Sequence, residues 1–165
     1  LHTYSPMYSN LRGYSLIIGG SLLSLGLVSG LLFNILGSRF RIRFNNWLVN
    51  VVSFTGMGLF LNIFVHIESL ALFILFYVLS DSFMFFSMSS NVIEAQKMLP
   101  GHPAFAASVS MGVAWATGYL LHLGYSSFFG NQVGFVLNSI GIFSLITAGC
   151  LLIFSRYFGR APKGS

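Results

Sequence analysis

The 165-residue chain is 55 % apolar and 7 % charged, with a formal net charge of +5 and a mean hydropathy of +0.81. A soluble domain needs about a quarter of its residues charged to cover its surface, and a disordered chain is poor in apolar residues, so both classes are excluded. The solvent that suits this composition is lipid.

In chain order, residues 1–13 come first, polar and aromatic with one cation, Arg12. They lack the ordered basic region, apolar core and cleavage site of a signal peptide. They read as an external segment or the end of a preceding helix, in a chain expected to be a fragment of a longer one. Five stretches almost free of charge follow, at 14–36, 47–65, 69–93, 104–125 and 133–154. Each has about the 20 residues with which a helix, rising 1.5 Å per residue, crosses a hydrocarbon core of roughly 30 Å. The alternating strands of about ten residues that a barrel needs are not evident. The predicted fold class is all-α: a polytopic membrane protein whose bundle of five transmembrane helices occupies 14–155, with a tail at 156–165.

The joints between stretches set the orientation. Five spans place Arg39, Arg41, Arg43, Lys97, Arg156, Arg160 and Lys163 on one side and leave Arg12 alone on the other. Basic loops stay cytoplasmic, so the beginning of the chain is expected outside the cell and its end inside. No lysine- and arginine-rich stripe with interleaved aromatics lies outside the spans, which argues against a nucleic-acid partner; the expected partner is the bilayer.

Asp81 is the one charged residue inside a stretch and stands at its centre. A carboxylate at mid-bilayer costs about 2.5–3.5 kcal/mol on insertion scales. It is tolerated where it faces a polar cavity, finds a partner or is protonated. Around it stand Ser80, Ser82, Ser87, Ser89, Ser90 and Asn91, and helical spacing sets Tyr77, Met84 and Met88 on roughly its face. Asp81, Tyr77, Met84, Met88 and Asn91 are therefore candidates for a substrate or proton site, together with Trp115, a mid-span tryptophan placed to pack or to line a cavity. The competing reading is a carboxylate held by serines for structure alone. His66 and His122 lie near the external ends of two spans and fit interfacial residues better than haem ligands, so no cofactor is expected. Cys150 is alone, no metal-ligand spacing occurs, and no phosphate loop or hydrolase motif is present. The chain reads as a non-enzyme.

Small residues mark expected helix contacts. Gly26 and Gly30 form a GxxxG step; Ser108, Gly112 and Ala116, and in parallel Ser110, Ala114 and Gly118, form ridges; Gly134, Gly141 and Gly149 step along the last span. Asn34, Asn50, Asn62 and Asn138 are each expected to bond a neighbouring helix.

Two segments carry a family resemblance. Residues 30–43, with Leu36, Gly37, Arg39 and Arg43 in place and Asn34, Ser38 and Arg41 departing from the pattern, are similar to the loop signature of the major facilitator superfamily. Residues 94–101, Glu-Ala-Gln-Lys-Met-Leu-Pro-Gly, followed by the small-residue run at 108–118, resemble the turn between the tenth and eleventh helices of drug exporters of the fosmidomycin-resistance type. The resemblance implies the C-terminal half of such a transporter, with two halves rocking about a central site. It makes Gly37, Arg39 and Arg43 candidates for a gating loop. It also implies a small-molecule substrate, a missing N-terminal half or partner chain, and a location in a cell membrane, the bacterial inner membrane, while the coupling proton rests on the depth of Asp81 alone. The expected function is proton-coupled export of small amphipathic molecules. The alternative is a non-transporting subunit of a larger membrane assembly.

Overall fold

The computed structural model describes residues 2, 4–129 and 132–158. Seven helices run in the order α1 (Tyr4–Leu11), α2 (Leu16–Arg43), α3 (Asn46–His66), α4 (Leu70–Phe86), α5 (Met88–Met98), α6 (Pro103–Phe129) and α7 (Val133–Phe158), and the described residues contain no strand. Helices α4 and α5 make one span interrupted at Ser87, so five helical segments are long and apolar enough to cross a membrane. This matches the expected all-α bundle. Arg160 and Lys163 lie outside the described residues.

The helices outrun the charge-free stretches. α2 continues through Arg39, Arg41 and Arg43, and the joint to α3 shrinks to two residues, Phe44 and Asn45. Arginine is a good helix former, and cations in the last turn complement the helix dipole. Phe40 and Phe44 stack with centroids 4.3 Å apart, and the Phe44 amide closes the helix on the Phe40 carbonyl. Asn45 opens α3, its side chain accepting from the Leu48 amide at 2.9 Å. Pro103 starts α6, where its missing N–H costs nothing.

α3 is the most enclosed span and packs on α4 and α7, while α2 packs on α4. The buried face of α2 is four glycines and Leu22. Gly19 meets Pro6 of α1, Gly26 meets Asp81 and Tyr77, Gly30 meets the Phe85 ring, and Gly37 meets the Phe86 carbonyl. The GxxxG step at Gly26 and Gly30 thus sits in a longer stripe that brings backbones together where lipid supplies no hydrophobic drive. The rest of α2 exposes leucine, isoleucine and valine.

A buried cluster at the end opposite Arg39, Arg41 and Arg43 ties α1 to the bundle. It joins Tyr4 and Tyr8 to Leu22, Leu61, Phe64, Phe73, Tyr77, Val136 and Leu137. Tyr8 donates to the Val65 carbonyl at 2.7 Å, Arg12 donates to the same oxygen at 2.6 Å, and Tyr14 donates to the Glu68 carbonyl at 2.9 Å. These bonds satisfy carbonyls orphaned at the end of α3 and just beyond it. The segment at 1–13 therefore contributes a packed helix, with Tyr4, Ser5, Tyr8 and Ser9 all buried.

α6 departs from the expected packing. Ala106 is its one buried residue, and only 6 % of its apolar window is buried. Gly112 and Gly118 face open space, so at these two positions the ridges through Ser108 and Ser110 meet no neighbour among the described residues. On α7, Gly134 meets Tyr8 and Gly141 meets Asn62, while Gly149 meets nothing.

Candidate functional site

Asp81 is fully buried on α4. Its carboxylate faces away from lipid because α4 turns that side toward α2, where Gly26 has no side chain to occupy the space. One oxygen, Oδ1, is 2.7 Å from Nε2 of His2, just before α1. The other, Oδ2, is buried and has no hydrogen-bond partner among the described residues. Tyr77, one turn earlier on α4 and also fully buried, touches Gly26 beside the carboxylate, and Ser5 of α1 lies against it. Ser82 is 2.8 Å from Ser29 on α2 and donates to the Val78 carbonyl at 2.6 Å. Three helical segments, α1, α2 and α4, thus meet at one carboxylate.

A second polar layer lies toward the arginine-rich end. Asn50 and Asn91 pair side chain to side chain, amide to carbonyl in both directions, at 2.9 and 3.0 Å. Asn46 joins this pair and also accepts from Ser90. Asn34 accepts from both the Ser89 amide, at 3.1 Å, and the Ser89 hydroxyl, at 2.6 Å. The Ser89 amide needs this acceptor because the helix breaks at Ser87, between α4 and α5. A backbone group freed inside a membrane must be satisfied by protein. α2 does so for the Ser89 amide with the Asn34 side chain, and the absence of a side chain at Gly37 leaves room for the Phe86 carbonyl to approach closely. At the rim, Arg41 pairs with Glu94, and Lys97 approaches the same carboxylate at 3.7 Å.

The structure sorts the candidate residues into three places. Asp81 and Tyr77 stand together. Asn91 belongs to the asparagine layer, and Met84 and Met88 are partly buried on either side of the break. Trp115 is 58 % exposed on α6, away from the buried layers. Of the gating candidates, Gly37 seats a carbonyl, while Arg39 and Arg43 are exposed; the ion pair at that end is made by Arg41. His122 packs edge-on against Tyr4 at 4.9 Å between centroids. Of the asparagines, Asn34 and Asn50 bond a neighbouring helix, whereas Asn62 donates to Gly58 within its own helix, at 2.7 Å.

Sequence reasoning missed His2, because nothing in a polar opening segment signals a contact 79 positions away. It also missed Arg41 with Glu94. Opposite charges in two joints on the same side of the membrane were the available signal. Comparison with protein-family models, characterised proteins and solved structures returns no match for this chain.

Proposed function

We propose that this chain is half of a secondary active transporter, built like the C-terminal half of a major facilitator protein, in which Asp81 and His2 carry the coupling proton. The observation that supports this reading is a wholly buried carboxylate with one oxygen on an imidazole and the other without a partner among the described residues. Buried polar atoms held for structure alone are normally satisfied. Here one proton can reside on the carboxylate or on the ring, and its position changes the attraction between α1 and α4. A proton that binds two arrangements of these helices unequally shifts the population between them. The break at Ser87 supplies a place for α5 to move relative to α4. The transported species are small amphipathic molecules exchanged for protons. The chain sits in a cell membrane with its arginine-rich end in the cytoplasm, and a second half covers α6.

A non-transporting subunit of a larger assembly is the second reading. The observation that favours it is α6, whose small-residue ridges and Trp115 await a neighbour. Liposomes holding the protein with whatever chain copurifies separate the two. An imposed pH gradient drives accumulation of an amphipathic dye such as ethidium under the first reading, and Asp81→Asn abolishes the gradient dependence. Unaltered pH dependence in Asp81→Asn removes the proton role. Copurification with unrelated subunits and no flux supports the second reading.

A further inference from the structure

Two arginines two positions apart at the end of α2 have different fates. Arg41 is paired with Glu94. Arg43 is exposed and has no acidic partner among the described residues. It borders a cleft of about 320 Å³ between the α2–α3 joint and the end of α7, lined also by Trp47, Leu48, Val51, Leu152 and Ser155. Among the described residues Arg43 is the one charged member of this lining; the neighbouring cleft on the other side of the joint holds Arg41, Lys97 and the carboxylate of Glu94.

We infer that the Arg43 cleft binds an anionic phospholipid, with its phosphate on the guanidinium and its acyl chains along Leu48, Val51 and Leu152. Charge and depth both favour this occupant. A guanidinium offers five donors in a plane that matches phosphate oxygens. It sits at the end of a membrane span, where headgroups lie, and the apolar wall runs from it into the span. Trp47, 43 % exposed, stands at the level that tryptophan prefers in bilayers. A glutamate in the same cleft would repel phosphate, and the described lining holds none. Arg43 is thus a lipid anchor at the base of α2, where Arg41 is a link between helices.

Trp47 provides the readout. The full chain carrying Trp115→Phe, so that Trp47 alone fluoresces, is placed in phosphatidylcholine vesicles containing either brominated phosphatidylglycerol or brominated phosphatidylcholine at the same mole fraction. The glycerol lipid is expected to quench Trp47 more strongly. Arg43→Gln reduces its apparent affinity about fivefold, the effect of one basic residue at a membrane surface, while Arg39→Gln, which removes the same charge from the same helix, retains the preference. Unchanged circular dichroism in both variants shows that the fold is intact. Equal quenching by the two lipids, or equal loss in both variants, means diffuse surface attraction and overturns the site. Relief of quenching by millimolar inorganic phosphate means that a soluble phosphate, and not a lipid, is the ligand, and overturns the lipid assignment.

Discussion

At Gly26 a single hydrogen atom in place of a side chain sets the environment of the one carboxylate inside the bundle. A methyl group there would overlap the Asp81 carboxylate, and at Gly37 it would strike the backbone carbonyl of Phe86. The two sites differ in what can yield. A carboxylate swings about two side-chain torsions, whereas a carbonyl moves only with its helix. Gly26→Ala is expected to cost about 1–3 kcal/mol through overpacking, and Gly37→Ala is expected to cost more than Gly26→Ala. Gly112→Ala, with nothing within 4 Å of the added carbon, should stay within about 0.5 kcal/mol of the parent. Thermal unfolding of the purified variants in detergent gives the ranking. A Gly112→Ala protein as unstable as Gly26→Ala would show that α6 is packed after all. The Gly26 penalty should also shrink in an Asp81→Ala background, since residues in contact are not additive.

The break between α4 and α5 is the element on which the polar layers depend. Sequence showed five spans and an unusual density of serine and asparagine at 80–91, but not the break itself, because no proline or glycine lies between Leu70 and Met98. The interruption depends on α2: Asn34 takes the Ser89 amide and Gly37 seats the Phe86 carbonyl. Such partners are invisible to a reading of one segment at a time. The same limit applies to Asp81. Its depth and its small polar neighbours were legible from position and period, whereas its histidine partner comes from a segment that reads as extramembrane. Asn34→Ala removes the cap from Ser89, a loss of about 1–2 kcal/mol at a helix start. Amide exchange at 88–91 should quicken by about tenfold or more, with little change in α3. Exchange that quickens evenly across the bundle would instead mean that Asn34 holds the whole fold rather than the break.

Across the whole molecule, charge and contacts place the same residues at the same ends. Arg41 and Glu94 join the last turn of α2 to α5 at one end, and Arg12 and Tyr14 join the link between α1 and α2 to the end of α3 and the residues just after it at the other. These pairings give the bundle two distinct ends without reference to a membrane; the orientation proposed above puts the arginine-rich end in the cytoplasm, as the positive-inside rule expects. A cysteine at Asn45 and one at Glu68, each made singly in a Cys150→Ser background, test that assignment because both positions are exposed and lie at opposite ends. In intact cells a membrane-impermeant maleimide should label Glu68→Cys and reach Asn45→Cys only after permeabilisation. The mirror-image pattern would invert the protein and place the Arg43 cleft in the outer leaflet. Labelling of both positions from outside would mean that the chain does not cross the bilayer, and the cost of burying Asp81 would then need an explanation without lipid.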